Sequence, residues 1–291
     1  MPQTKNKPKS KSKGSKKGGR SKQPKKPRFT AATADRHVLY TLAVQNVESE
    51  IDFVDETYHA IRGRHARRLR EDFCGTAATS CEWIRRRPLN EAVGLDIDQA
   101  TLDWGRDNEL ARLTNEQRAR VSLRARDVRA PAQDERDMDA VLAMNFSYNA
   151  LMTREDMLRY MRSVRRSLAP GGLFFMDCYG GHESLMEQEE PRKCPGFTYV
   201  WEQVRFNPIT HNLQCAIHFE FPDGTEMRDA FTYDWRLWTM PELRDLLQEA
   251  GFEKSTVYWE GDDGDGGGDG DFQPTDDGDA CASWIAYIVA E

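Results

Sequence analysis

The stretch LREDFCGTAATS, residues 69–80, is the part of the chain from which the fold can be worked out. Its first residues include two acids, Glu71 and Asp72. A single glycine, Gly75, then precedes small residues that suit the start of a helix. Strand–loop–helix units that bind nucleotides have this order, with glycines where the backbone approaches the ligand. One glycine stands where such loops usually have three. The stretch is therefore either a cofactor loop with altered glycines or an ordinary strand end.

Strand and helix patterns alternate around this stretch. We predict strands over Arg68–Phe73, Ala92–Leu95, Val121–Ala125, Ala140–Met144 and Leu173–Met176. Helices are predicted over Ala77–Arg86, about Gln99–Leu113 and Arg154–Leu168. The turn formed by residues 170–172, Pro-Gly-Gly, is predicted to separate the last of these helices from the fifth strand. The alternation predicts an α/β fold with a doubly wound, mostly parallel sheet.

The C-terminal part follows a different pattern. Tyr199–Phe206, Gln214–Phe221 and Arg228–Tyr233 are predicted as antiparallel strands of a small insertion, about residues 195–238. A capping box at residues 239–242 and a glycine at position 251 bound a helix. Ser255–Trp259 and Trp284–Ala290 are predicted as two final strands.

Charge is distributed unevenly. Residues 1–28 hold 12 Lys or Arg and no acid, whereas residues 29–291 hold 29 bases and 48 acids, a balance of −19 against −7 for the whole chain. The first segment has no apolar side chain to bury after Met1, so we expect a disordered basic tail. Two interpretations stay open: a salt-sensitive contact with nucleic acid, or a tail that shields the acidic domain.

The segment from Glu260 to Asp279 holds nine acids, no base and many glycines. We expect a flexible acidic loop at about residues 260–280. A calcium loop of the EF-hand type is not expected, because Gly267 occupies the third ligand position and the closing Glu is missing.

Composition also limits the class of protein. The six cysteines are scattered, without a C-x-x-C pair or a cysteine–histidine cluster at zinc spacing. We expect reduced thiols, a cytoplasmic location and no metal site. No window approaches the length of apolar sequence that a membrane span requires, so no membrane contact is expected.

Polar side chains recur where predicted strands end. Asp96 follows the second strand, Asp127 the third, and Asn145 the fourth. The carboxyl ends of parallel strands meet at one edge of the sheet, where ligands bind at the switch in strand order. Carboxylates can accept hydrogen bonds from ribose hydroxyls and from an adenine amino group, so this series predicts a nucleoside-bearing ligand.

The order and spacing of these motifs, over roughly Arg68 to Glu291, resemble those of the class I S-adenosylmethionine-dependent methyltransferases. The first loop of that family reads approximately acid-x-G-x-G-x-G; here Glu71 and Gly75 keep the acid and the central glycine, while Phe73 and Ala77 replace the outer two. The resemblance implies a seven-stranded Rossmann-like sheet, a reversed C-terminal hairpin and S-adenosyl-L-methionine as cofactor. That cofactor carries no phosphate, so fewer glycines are needed than in a nicotinamide dehydrogenase.

The resemblance also implies roles for single residues. Glu71 would bind the methionine amino group, Asp96 the ribose, and Asp127 the adenine amino group. The cofactor-binding residues implied in this way are Glu71, Phe73, Gly75, Asp96, Asp127, Val128 and Asn145.

A catalytic base is needed only if the acceptor atom carries a proton that must leave. Tyr148, Tyr179, His182 and Asp177 are candidates, and the sequence does not select among them. The tetrapeptide at residues 145–148, Asn-Phe-Ser-Tyr, resembles the Asn-Pro-Pro-Tyr of amino methyltransferases but lacks both prolines.

The insertion is rich in aromatic residues. They either form the inner face of the added sheet or hold a cationic substrate, and Arg228 or Arg236 could pair with a substrate carboxylate. The N-terminal segment with Tyr40 is expected to close over the site. The candidate substrate-binding residues are Tyr40, Tyr148, Trp201 and Arg236.

These observations divide the chain into a basic tail at residues 1–28, an N-terminal helical cap at 29–66 and a methyltransferase domain at 67–291. The main hypothesis is methyl transfer to the N or O atom of a small molecule by in-line displacement. One alternative is an RNA or protein methyltransferase recruited through the tail. The other is a binding protein that keeps the cofactor fold without catalysis.

Overall fold

The computed structural model describes residues 29–262, 264 and 267–291, which form two β-sheets with helices on both faces of the larger one. The predicted basic tail, residues 1–28, lies outside the described residues. The strands are β1 Arg68–Asp72, β2 Glu91–Asp96, β3 Val121–Ala125, β4 Met138–Ala143, β5 Leu168–Gly180, β6 Gln188–Cys194, β7 Phe197–Phe206, β8 Asn212–Glu220, β9 Glu226–Arg236, β10 Ser255–Asp262, β11 Gly268–Thr275 and β12 Trp284–Ala290. The α-helices are α1 Arg36–Ala43, α2 Val47–Arg62, α3 Ala78–Arg86, α4 Gln99–Asn108, α5 Asn115–Arg118, α6 Arg154–Ser167 and α7 Met240–Ala250. Among the described residues, no helix has the length and apolar character needed to cross a membrane.

The larger sheet has the strand order β11-β10-β12-β5-β4-β1-β2-β3. Strands β1 to β5 pair in parallel, whereas β12 runs antiparallel to β5 and β10 antiparallel to β12. The predicted doubly wound α/β class and the reversed C-terminal strand are confirmed. The order of strands reverses between β1 and β4, so a ligand crevice is expected beyond the carboxyl ends of these two strands.

The predicted count of seven strands is one too low, because the acidic segment contributes β11. Gly268–Thr275 pairs antiparallel with β10, and the prediction of a flexible loop is wrong for these residues. The physical reason is Phe272, whose ring packs 4.5 Å from that of Tyr287 and 5.9 Å from that of Phe53. One half-buried aromatic residue anchors a strand that its composition alone does not favour.

Each face of the large sheet carries its own apolar core. On one face, Val54 and Tyr58 of α2 pack with Phe175 of β5. On the other face, the preceding residue of β5, Phe174, packs with Met161 of α6. Burying a side chain of this size contributes about 1.5–3 kcal/mol. The two cores together fix the strand ends that form the crevice.

The boundary between α6 and β5 differs from the prediction. The helix ends at Ser167, one residue before the predicted end, and β5 begins at Leu168 rather than at Leu173. The pairing with β4 shifts in register between Met138 and Ala140, opposite the Pro-Gly-Gly segment. An irregularity of this kind accommodates a proline, which has no N–H to donate to the ladder.

The predicted insertion forms a four-stranded antiparallel sheet, β6-β7-β8-β9, called the lid sheet below. Strand β6 is an addition to the three predicted strands. Helix α1 packs on this sheet: the amide of Ala31, just before it, donates to Thr225 Oγ1 at 3.0 Å, and Arg36 donates to the Ala230 carbonyl at 3.3 Å. The residues predicted as one helical cap, 29–66, thus contain two helices that pack on different sheets.

Candidate active site

A cavity of about 290 Å³ lies beyond the carboxyl ends of β1, β2 and β4. The loop after β1 lines one side with residues 71–76, and α1 and β9 line the other. The remaining lining residues are His37, Tyr40, Gln45, Asp96, Asp98, Thr101, Met144, Asn145, Ser147, Ala150, Phe231, Tyr233 and Trp235. The cavity therefore brings Glu71, Phe73, Gly75, Asp96, Asn145 and Tyr40 together, as predicted from the sequence.

The first loop keeps the backbone of a glycine-rich turn without its outer glycines. Phe73, Gly75 and Ala77 have φ angles of 58°, 51° and 61°, the left-handed region that glycine adopts most easily. For a residue with a Cβ this conformation costs about 1–2 kcal/mol. Contacts offset that cost, since the Phe73 ring packs edge-on against Tyr160 at 5.6 Å.

Asp96 connects the ends of β1 and β2. One carboxylate oxygen accepts from the Gly75 amide at 2.8 Å, and the other accepts from the Asp98 amide at 2.9 Å. Asp98 caps α4 by accepting from the amides of Ala100 and Thr101, as expected. Asp96 thus holds the loop in place, and it remains partly accessible at the cavity.

Glu71 is a buried acid without a cationic partner among its hydrogen bonds in the described structure. Its carboxylate accepts from the Ser80 amide at 2.8 Å and from the Ser80 hydroxyl at 2.5 Å. Burial raises the pKa of Glu71 to about 8, while the bonds from Ser80 oppose that shift. A cation entering the cavity would favour the ionised carboxylate.

Asp72, the second acid of the loop, forms a charge pair that sequence reasoning missed. Arg70 and Asp72 are both fully buried and form two hydrogen bonds of 2.9 Å, and the Tyr160 hydroxyl donates to Asp72 at 3.0 Å. Arg70 also donates to the Glu135 carbonyl at 3.0 Å. Alternation along a strand puts residues 70 and 72 on one face, which is the signal that identifies this pair.

Asp127 and Val128 are not among the cavity-lining residues. The Asp127 carboxylate accepts from the Arg129 guanidinium, with a shortest distance of 2.7 Å, and Arg129 also pairs with Asp156. These hydrogen bonds from Arg129 hold the pKa of Asp127 below its usual value. Val128 is buried in the core shared with α6 and α7.

The loop after β4 is shaped by a buried carboxylate. Asn145 and Phe146 have φ angles of 58° and 55°, and the Phe146 amide donates to Asp177 Oδ1 at 3.0 Å. Burial raises the pKa of Asp177 to about 8. Asp177 therefore positions Asn145 at the cavity and does not line the cavity itself.

None of the four candidate bases, Asp177 among them, lines the cavity. Tyr148 is 1% exposed and donates to the Asp177 carbonyl at 2.6 Å, so it is a core residue. The Tyr179 ring packs 4.6 Å from that of Phe146, and its buried hydroxyl has no hydrogen-bond partner in the described structure. His182 is exposed at the start of a single helical turn. The structure does not support these four as catalytic residues.

Two of the candidate substrate residues also lie elsewhere. The Trp201 ring packs on Trp235 at 5.8 Å, behind the residues that line the cavity. Arg236 stacks on Trp238 at 3.7 Å and pairs with Glu242 at 2.8 Å near the start of α7. Neither residue is among those that line the cavity.

His37 and Gln45 line the cavity although the sequence analysis did not select them. The His37 ring lies 5.0 Å from Trp104 and 5.7 Å from Phe231, and burial lowers its pKa, with Arg36 acting in the same direction. The Gln45 Oε1 atom is buried and accepts no hydrogen bond from any described residue. No motif marks either residue, since both depend on how α1 packs on the lid sheet.

A group of possible metal ligands lies on the lid sheet: Glu189, Glu202 and His218. His218 Nδ1 accepts from the Asp229 amide at 2.8 Å, so its other nitrogen carries the proton and donates to Glu202 at 2.6 Å. Arg228 pairs with both glutamates. These contacts satisfy the group without an ion.

Comparison with known proteins gives a consistent result. Residues 73–172 match the family described as "Methyltransferase domain". No curated protein matches the chain. Among solved structures, the CcbJ methyltransferase from Streptomyces caelestis has a TM-score of 0.65 at 17% identity, covering 86% of this chain and 98% of its own. CalS10, an amino pentose methyltransferase from Micromonospora echinaspora, has a TM-score of 0.62 at 20% identity, covering 88% of this chain and 96% of its own. The sugar N-methyltransferase KedS8 from Streptoalloteichus sp. has a TM-score of 0.58 at 15% identity, covering 94% of this chain and 98% of its own.

Proposed function

Because residues 73–172 form a methyltransferase domain in a chain with the class I S-adenosylmethionine-dependent methyltransferase fold, we propose that the cavity transfers a methyl group to a small molecule. The acceptor atom is nitrogen or oxygen. The observation that carries the proposal is the retained loop: Phe73, Gly75 and Ala77 keep positive φ angles, and Gly75 is tied to Asp96 beside the buried Glu71.

Four residues would hold S-adenosyl-L-methionine. Glu71 suits the methionine ammonium, because a buried carboxylate without a cationic partner gains most from an entering cation. Asp96 suits the ribose hydroxyls, Gly75 allows close approach of the loop backbone, and Asn145, which also lines the cavity, would lie at the methionine end. Asp127 is left out of this assignment, because Arg129 already engages its carboxylate.

The adenine ring would lie over Ile97. This side chain follows Asp96 directly and is 79% exposed, which is unusual for an isoleucine beside a sheet. An apolar ring placed on it would remove that surface from water. This placement needs no contact with Asp127 or Val128.

When bound, the cofactor supplies an electrophilic methyl group on a positively charged sulfur. The acceptor lone pair forms the new bond to carbon as the carbon–sulfur bond breaks, and the bonding electrons remain on sulfur. The residues of the chain hold the two reactants in line and exclude water. A hydroxyl acceptor would also have to lose a proton, and His37 is a base among the lining residues.

The charge of the lining supports a small acceptor rather than a nucleic acid. Glu71, Asp96 and Asp98 all lie there, and no Lys or Arg is among the lining residues of the described structure. Phosphates would be repelled at short range. The alternative of an RNA substrate recruited through the tail depends on residues 1–28, which lie outside the described residues.

The test is methyl transfer from labelled S-adenosyl-L-methionine to a metabolite extract and, separately, to total RNA. We expect label in small molecules, with equal yield from the full chain and from a variant of residues 29–291. Label found only in RNA, and lost when the tail is removed, would replace this proposal with the recruitment alternative.

A further inference from the structure

We infer that the acceptor is an amine and that it binds against an aromatic wall formed by Tyr40, Phe231, Tyr233 and Trp235. This inference rests on the proposed methyl transfer. It excludes acceptors whose recognised group is a carboxylate or a phosphate.

The wall is a product of strand alternation. Phe231, Tyr233 and Trp235 are alternate residues of β9, so their side chains share one face, and all three line the cavity. The rings of Tyr233 and Trp235 lie 4.6 Å apart, and Phe231 lies 5.1 Å from Tyr40 of α1. A ligand on this side of the cavity therefore meets ring surface.

The polar lining favours a cation. The acids of the lining are Glu71, Asp72, Asp96 and Asp98. Asp72 is paired with Arg70, and Glu71 and Asp96 are assigned to the cofactor, which leaves Asp98 and the ring faces for the acceptor. No arginine or lysine is among the lining residues of the described structure, and the guanidinium of Arg36 lies over the Phe231 ring at 5.1 Å from its centre, which shows that this ring accepts a cation. Gln45 Oε1, which is buried and has no donor among the described residues, adds an acceptor for an N–H group. The faces of aromatic rings also attract cations, because the ring quadrupole is negative there.

The chemistry of the step agrees with this lining. A neutral amine attacks with its lone pair, and the positive charge moves from sulfur to nitrogen as the carbon–sulfur bond breaks. The product is an ammonium ion that loses its proton to water. The aromatic wall stabilises the positive charge that forms on the acceptor nitrogen, and no base is required during transfer. The four residues considered as bases from the sequence do not line the cavity.

The test uses two probes of equal shape that differ in charge, choline and 3,3-dimethylbutan-1-ol. Each is titrated calorimetrically into the full chain saturated with S-adenosylhomocysteine. We expect choline to bind about 2- to 30-fold more tightly, the range that cation–aromatic contacts supply. Choline binding no tighter than the alcohol, or no saturable choline binding, overturns the inference.

The variant Phe231→Leu removes a ring face and keeps apolar bulk. It should reduce the preference for choline while leaving affinity for the alcohol. Phe206→Leu is the matched control, because Phe206 lies on the lid sheet outside the cavity, 5.4 Å from the ring of His211, and should leave the preference unchanged. Equal preference in all three proteins contradicts the aromatic wall. Failure of S-adenosylhomocysteine to bind in the first titration would instead contradict the proposed function.

Discussion

The loop side of the cavity, built from the ends of β1, β2 and β4, and the lid side, built from α1 and β9, contribute different chemistry to one space. The loop side supplies carboxylates and a strained backbone, held by hydrogen bonds such as that from the Gly75 amide to Asp96. The lid side supplies ring faces from alternate residues of one strand. A charged cofactor needs fixed partners, whereas an acceptor site can vary by exchanging rings on a strand.

The largest expected effect concerns the stability of the loop side. Asp72→Ala leaves Arg70 buried without its charge partner, and breaking such a pair costs about 3–5 kcal/mol. On the lid side, Glu202→Gln keeps a hydrogen bond to His218 and should cost about 1 kcal/mol or less. The free energy of unfolding in urea measures both. Similar losses in the two variants would show that the loop side has no special dependence on buried charge.

The next largest expected effect is the release of a proton from Glu71, on the loop side, when the cofactor binds. Below about pH 8 the carboxyl of Glu71 is mostly protonated, because burial raises its pKa. The raised pKa contributes folding stability that is lost as pH rises from 4.5 through about 8. An ammonium ligand favours the ionised form, so affinity should fall as pH drops below 8.

Calorimetry at pH 7 in buffers of different ionisation enthalpy measures this proton directly. We expect release of up to about one proton per cofactor bound. Glu71→Gln keeps a hydrogen bond with Ser80 but cannot ionise, and it should abolish the release. Release that persists in Glu71→Gln would assign the proton to another group.

Much of the loop side is predictable from sequence because the strand order of the fold determines where its residues lie. Once residues 69–80 are interpreted as strand, loop and helix, the acids after β1 and β2 must meet at one edge of the sheet. Asp127 illustrates the limit of this reasoning, since Arg129 two residues later takes up its carboxylate. Strand-end position brings a side chain to the edge, and local ion pairs decide whether it is available.

The lid side is less predictable because alternating aromatics have the same pattern whether they form a core or a binding wall. Trp201 and Trp235 belong to one ring cluster, yet Trp235 lines the cavity and Trp201 does not. His37 and Gln45 depend on the docking of α1, which local sequence does not encode. Strand β11 was missed for a similar reason: a single ring, Phe272, outweighs the surrounding glycines and acids.

The smallest expected effect tests whether the loop keeps a glycine backbone at its last position. Ala77→Gly relieves about 1–2 kcal/mol of left-handed strain and loses about 0.8 kcal/mol of methyl burial. Thermal unfolding should show a stability unchanged or higher by up to about 1 kcal/mol. Ala78→Gly, one residue into α3, should lower stability by about 1 kcal/mol. A marked loss in Ala77→Gly would contradict the strain assigned to this loop.

Binding of S-adenosyl-L-methionine to the full chain, measured by calorimetry, tests the central claim most directly. We predict saturable binding to the wild type, weakened about 10- to 100-fold in Asp96→Ala because hydrogen bonds to a charged group are lost. Asp107→Ala, an exposed position on α4, should bind like the wild type. Asp96→Asn, which retains an acceptor for Gly75, separates a ligand effect from loop collapse. No binding by the wild type, or unchanged binding in Asp96→Ala, would contradict the account.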